Sequence, residues 1–168
     1  MNDNIHLKKY LTKESIHSGA PHKVLDKCKN FDFFIVIPCY NEYDYLFKTL
    51  DSINKQNPLL LEKTLVVIVI NNSVKSNSNV KHNNEKTYDK LIGLNYSFEF
   101  VSIDCFSTET SFKDELAGVG LARKVGMDFS LKFIKDLNSI ICSLDADTII
   151  DENYLDSIYN IFKKNKMN

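Results

Sequence analysis

Six consecutive aliphatic residues, Leu65-Val66-Val67-Ile68-Val69-Ile70, leave this chain few folds to choose from. No polar residue interrupts them, so a strand made here has both faces buried. Phe33-Phe34-Ile35-Val36-Ile37 is a second run of the same kind. Pro38 ends it, because proline has no N–H to give to a ladder. Between the two runs Leu46, Leu50 and Ile53 recur at helical spacing. Asn41 is the expected N-cap, Glu42 and Asp44 suit the first turn, and Asn57-Pro58 closes the segment.

The alternation continues downstream. Tyr96 to Ile103 alternates enough for a third strand, and a loop with Gly118 and Gly120 follows. Ala122, Val125, Phe129 and Phe133 form a helical stripe, Ile140 to Leu144 a fourth strand. A last helix carries Leu155, Ile158 and Phe162, with Asp151 as its candidate cap. Val74 to Lys90 is rich in Asn, Lys and Ser with little to bury, and reads as an exposed, mobile loop. Residues 1–30 are polar and read as an N-terminal extension, with Val24 and Leu25 anchoring a short helix. Residues 31–168 form the folded domain.

Apolar strands alternating with helices predict an α/β fold, a mainly parallel sheet with helices on both faces. A chain of 168 residues, 43% of them apolar, supports one such core. A net charge of −1 argues against a nucleic-acid partner held by a basic field. No apolar run approaches the roughly 20 residues of a membrane span. No secretory signal is visible at Met1-Asn2-Asp3-Asn4, which favours a cytoplasmic location. Cys28, Cys39, Cys105 and Cys142 lack metal-ligand spacing and read as free thiols. The basic end, Phe162-Lys163-Lys164-Asn165-Lys166, is too short for a membrane patch.

Ligands in such sheets bind beyond the carboxyl ends of the strands. Three polar clusters fall there: Pro38-Cys39-Tyr40-Asn41-Glu42, Asn71-Asn72-Ser73 and Asp145-Ala146-Asp147. Residues i and i+2 of a strand share a side, so Asp145 and Asp147 converge on one cation if the strand or a tight turn extends to them. Magnesium and manganese favour such oxygen ligands and share them with phosphates. The same pair equally suits a plain turn. A calcium loop is excluded, because Ile150 and Asp156 stand where it needs Gly and Glu.

Together these segments resemble the inverting family 2 glycosyltransferases of the GT-A fold. Ile35-Val36-Ile37-Pro38-Cys39-Tyr40-Asn41-Glu42 is similar to the family's opening strand and Pro-x-Tyr-Asn-Glu turn. Gly120-Leu121-Ala122-Arg123-Lys124-Val125-Gly126 is similar to its Gly-x-Ala-Arg-Asn-x-Gly segment, and Leu144-Asp145-Ala146-Asp147 to its Asp-x-Asp metal motif. The resemblance covers residues 32–160. It implies a Rossmann-like nucleotide-sugar-binding domain, truncated before the acceptor half that carries the catalytic base.

By the same resemblance the donor is a UDP-, GDP- or dTDP-sugar. The acceptor is a hydroxyl, on a polysaccharide or lipid-linked glycan at the inner membrane face, and the cofactor is Mg2+ or Mn2+. Pro38, Tyr40, Glu42, Asn71, Asn72, Arg123 and Asp145 would surround the nucleotide. Asp147 would bind the metal directly, and Asp145 the ribose or the metal through water. Arg123, the single arginine, offers a planar fork to phosphate or to an acidic partner. Each has a plainer role open to it. Tyr40 would pack on the next helix, Glu42 favour a helix N-terminus, Arg123 form a surface ion pair, and Gly118, Gly120 and Gly126 serve backbone needs such as close helix–sheet approach.

Two departures stand out. Asn71-Asn72-Ser73 replaces the family's Asp-Asp-Gly-Ser, exchanging carboxylates for amides that also donate. Lys124 replaces an Asn, adding a cation near the expected diphosphate. Two other functions fit in outline: a donor-binding fragment without transfer, and a sugar-phosphate nucleotidyltransferase. The second usually needs a Gly-rich basic turn after the first strand, where this chain has Pro38-Cys39-Tyr40-Asn41-Glu42.

Overall fold

The computed structural model describes residues 3–164 except 17–18, 27–28, 30 and 135–137. Cys28 and the side chains of the basic tail from Lys163 on lie outside the described residues. The elements are, in order, helix α1 (Asp3–Lys13), strand β1 (Ala20–Pro21), β2 (Phe33–Cys39), α2 (Tyr43–Ile53), α3 (Pro58–Leu61) and β3 (Thr64–Asn71). Then come α4 (Ser78–Ile92), β4 (Glu99–Cys105), α5 (Val119–Ser130), β5 (Ile140–Ser143) and α6 (Tyr154–Lys164).

The two apolar runs become β2 and β3, buried at every position and paired in parallel from Phe33–Thr64 to Cys39–Ile70. The strand order is β1-β4-β3-β2-β5, and only β1 runs antiparallel to its neighbour. Alternate residues feed separate cores. Phe33, Ile35 and Ile37 meet Leu46, Leu50 and Ile53 of α2, Leu60 and Leu61 of α3, Leu91 of α4 and Leu155 of α6. Phe34 and Val36 meet Ala122 and Val125 of α5, with Leu25 and Phe31. Each fully buried aliphatic side chain contributes about 2 kcal/mol. The sheet is therefore covered on both faces, as the apolar strands alternating with helices predict.

Successive strands run outward from β2 through β3 to β4, and the chain then crosses back through α5 to place β5 on the other side of β2. The order reverses between β2 and β5, and such a reversal opens a crevice at the strands' carboxyl ends. The crossover lies close to the sheet. A Cβ added at Gly126 would sit 2.4 Å from Val36 Cγ1 and 3.1 Å from Val69 Cγ2, so this glycine permits the approach.

Several local expectations are corrected. Residues 74–90 are not a loop: α4 occupies most of them, capped by Asn77 Oδ1 accepting from Val80 N. Its inward face is Val80, Asn84, Thr87 and Leu91, all buried at helical spacing. Two of those four are polar, which hid the stripe. Val24 anchors no helix and is 94% exposed, whereas the helix of this region lies at Asp3–Lys13. Asn41 does not cap α2. Its φ of 62° is left-handed, where Asn is tolerated, and Glu42 holds the cap position without a side-chain bond. α2 ends earlier than expected, at Ile53, and Asn57-Pro58 instead begins α3, with Asn57 Oδ1 accepting from Leu59 N. The third strand starts at Glu99 rather than Tyr96. Gly118 and Gly120 cap and enter α5 rather than sitting in a loop. At α6, Asp151 contributes its backbone carbonyl to Tyr154 N. β5 is only half-buried, because it lies at the edge of the sheet.

Candidate functional site

A cleft of about 730 Å³ opens at the strand-order reversal. That is within the range of small-ligand sites. Six segments supply it: Pro38 near the end of β2 with Tyr40 and Glu42 beyond it, Asn71 at the end of β3 with Ser73 beyond it, Ser76 before α4, Asp114 and Ala117 in the loop before α5, Gly118, Val119 and Arg123 at the start of α5, and Asp145, Ala146 and Asp147 after β5.

The acidic wall is built by β5 and the turn beyond it. Leu144 N donates to Val36 O, extending the pairing one residue past the strand. Leu144 and Ala146 are buried while Asp145 and Asp147 are exposed, so both carboxylates share the outer side. Thr49 Oγ1 pins the turn by donating to Ala146 O at 2.7 Å, and Thr148 N donates to Asp145 O. Arg123 reaches this wall from α5. Its Nε donates to Ser143 Oγ at 3.1 Å and its Nη2 to Asp145 Oδ1. Both partners of this ion pair are open to water, so the pair adds at most about 1 kcal/mol to stability.

Glu42 completes the wall. Burial, then the nearby charges of Asp147 and Asp145, hold its carboxyl above the ordinary range. Beneath it Cys39 is fully buried, and burial together with the Glu42 charge pushes its thiol up to about 12. It stays protonated at neutral pH and is no nucleophile. Tyr40 is 48% exposed at the cleft mouth, its ring not packed away.

The opposite wall carries amides, hydroxyls and one paired carboxylate. Asn71 is buried, and its Oδ1 accepts no hydrogen bond. Asp114 accepts from Lys75 N at 3.2 Å and pairs with Lys75 Nζ at 2.9 Å. Phe112 and Ser73 form a bridge, with Phe112 N donating to Asn72 O and Val74 N to Phe112 O. Asp104 anchors the loop behind them by accepting from Phe106 N, Ser107 N and Thr110 Oγ1, and from Ser107 Oγ. Burial works against its charged form, but these donors outweigh it and hold the carboxyl below its ordinary value.

Of the residues expected at the nucleotide, Pro38, Tyr40, Glu42, Asn71, Arg123 and Asp145 meet at this cleft, as does Asp147. Asn72 does not. It is fully buried beneath the wall, donating to Ser73 O and Phe106 O and accepting from Asn84 Nδ2. Lys124 is also turned elsewhere: its Nζ donates to Tyr10 OH and Asp128 Oδ2. A helical step of one residue swings a side chain by about 100°, so its neighbour's position at the cleft does not carry over. Ser73, from the expected polar cluster, lines the cleft, and Ser76, Asp114 and Val119 join it without a signal of their own in the sequence. The loop before α5 had only its glycines to mark it.

The described residues include no three His, Cys, Asp or Glu side chains grouped to hold a metal by themselves. The donor set nevertheless fits a hard divalent cation. Asp145 and Asp147 offer carboxylate oxygens in a wall where burial, and then their own negative charge, already raise Glu42.

Residues 34–96 match the family model described as glycosyl transferase family 2. The matched stretch is less than half of the chain. It runs from β2 to just past α4, and so carries Tyr40, Glu42 and Asn71. No curated protein matches the chain. Among solved structures, the chain is similar to S. aureus TarS residues 1–349. The crystal structure in complex with UDP has a TM-score of 0.48 at 18% identity, over 80% of this chain and 32% of that one. The complex with UDP-GlcNAc gives 0.47 at 19%, over 80% and 32%. The chain thus spans about a third of the length of these chains. No helix among its described residues is long and apolar enough to cross a membrane.

Proposed function

We propose that the cleft binds a nucleotide-diphospho-sugar and serves a metal-dependent, inverting transfer of the sugar to an acceptor hydroxyl. The observation that carries this reading is the meeting of Tyr40, Asn71, Arg123, Asp145 and Asp147, from four separate segments, at one crevice where the strand order reverses. The exposed ring of Tyr40 offers a face to a base. The unpartnered Asn71 Oδ1 offers an acceptor to a base or ribose N–H or O–H. Arg123 presents a planar fork to phosphate oxygens, with Asp145 orienting it.

Asp147 and Asp145 would hold Mg2+ or Mn2+. Bound there, the ion would supply positive charge against the charge that develops on the leaving diphosphate. Glu42 would bond the base or ribose. No residue of the chain is assigned as the base that deprotonates the acceptor. A polysaccharide or lipid-linked glycan is the acceptor class, and a hexose the class of sugar, that the family reading favours.

Calorimetry with UDP and GDP, with and without Mn2+, tests the proposal. Binding strengthened by Mn2+ and lost in Asp147→Ala supports it. Metal-independent binding unchanged in that variant overturns the metal role. Donor hydrolysis or transfer with a panel of sugar nucleotides separates an enzyme from a binding module. Pyrophosphate release from a triphosphate would point instead to nucleotidyl transfer.

A further inference from the structure

Among the ties that hold the N-terminal segment to the rest of the fold, two lead to the cleft. β1 pairs with β4 through Ala20–Asp104 and Pro21–Ile103, and His22 N donates to Ser102 O at 2.9 Å. Gly19 makes this possible: its φ is +79°, and an added Cβ would lie 2.4 Å from Asp104 O. Asp104 is the residue that anchors the loop leading to Asp114 and α5.

The second tie is a buried polar cluster. Asp128 of α5 is 2% exposed, and three donors converge on its carboxylate. Tyr10 OH of α1 donates to Oδ1 at 2.8 Å, the backbone N of Ile16 to Oδ2 at 2.7 Å, and Lys124 Nζ to Oδ2 at 3.0 Å. Lys124 Nζ also donates to Tyr10 OH at 2.6 Å and lies 5.1 Å from the centre of its ring. Ile16 adds apolar contact to the core beneath α5. A buried carboxylate needs such partners, and Tyr10 of α1 supplies one of the three. Arg123, next to Lys124 in sequence, is the α5 side chain that reaches Ser143 and Asp145.

We infer that Tyr10, Lys124 and Asp128 are positioning residues that latch α1 onto α5 and thereby hold Arg123 at the cleft. The inference rests on the proposed donor site only for what Arg123 binds. The latch itself is a matter of α5. Remote packing of this kind alters a coupled site several-fold.

Calorimetry with UDP and Mn2+ on the full chain, together with amide hydrogen exchange, tests the latch. Tyr10→Phe and Lys124→Met should each weaken UDP binding about fivefold and speed exchange of residues 122–127, leaving β2 and β3 protected. Lys124→Arg keeps a cation for Asp128 and should restore both readouts. Wild-type affinity and wild-type exchange in Tyr10→Phe and Lys124→Met would overturn the inference. So would faster exchange with unchanged affinity, or a loss that Lys124→Arg fails to rescue. If the wild-type chain binds no UDP, the donor reading fails, and exchange of α5 alone then decides the latch.

Discussion

The two walls of the cleft solve opposite problems. The loop wall is satisfied from within except at Asn71 Oδ1: Asp104 takes four donors, Asp114 takes Lys75, and Phe112 bridges to Ser73. The acidic wall is left short of positive charge. Asp145, Asp147 and Glu42 crowd one another, with Arg123 the cation that reaches them in the cleft. A wall satisfied by its own bonds holds its shape, while a wall of crowded charge is completed by what binds to it. The contrast is what a site needs if it is to be rigid on one side and selective for a cationic or metal-phosphate ligand on the other.

The contrast can be broken most severely at Asp147. Asp147→Ala should reduce Mn2+-supported nucleotide affinity roughly a hundredfold, as loss of a direct ligand or its close support does, with little change in Tm. Titration calorimetry at fixed Mn2+ reads this. On the other wall, Asp104→Ala removes an acceptor from four donors and should cost about 2 kcal/mol in urea unfolding. The Asp104 carboxyl is held below its ordinary value in the fold. Its contribution is therefore full above the unfolded-state value and lost as pH falls through the lower folded value. Stability curves between neutral and acid pH should show this fall in the wild type and less of it in the variant.

Arg123→Ala sharpens the comparison from the middle. It should weaken nucleotide binding about tenfold while changing stability by no more than about 1 kcal/mol, because its ion pair is solvent-exposed. Arg123→Lys should recover only part of the affinity, lacking the planar fork. The smallest effect is expected at Glu42. Its raised value means the folded state holds the proton more tightly, so stability declines as pH rises from the unfolded-state value through the folded one. Glu42→Gln should remove that decline and raise stability at neutral pH by about 0.5 kcal/mol or less, as surface substitutions do.

Much of this was readable in the chain before any coordinates. β2 and β3 are uninterrupted apolar runs, and nothing but a buried strand suits them. The polar clusters that follow them had to lie at one edge of a parallel sheet, which brought Tyr40, Asn71 and Asp145 together on topology alone. α4 was not readable, because Asn84 and Thr87 sit inside where a stripe search expects apolar residues. Asn84 is there to bond Asn71 O, Asn72 Oδ1 and Asn41 N, tying α4 to the floor of the cleft. Lys124 was misplaced for a related reason. Its partners, Tyr10 and Asp128, come from a remote segment and the next helical turn, and no local pattern pairs all three.

The crossover that puts β5 beside β2 also bears on time. Phe33 finds Ile140 across more than a hundred intervening residues, whereas β2 and β3 meet across about thirty. Pairings over long loops close late, because the entropy of closure is met before the contact rewards it. β5 is thus expected to dock after the rest of the sheet has formed. Asp145 and Asp147 ride on the end of that strand. On a growing chain the acidic side of the crevice would be the last to arrive, and the nascent protein would have no charge trap open to metal ions until its neighbours were already in place.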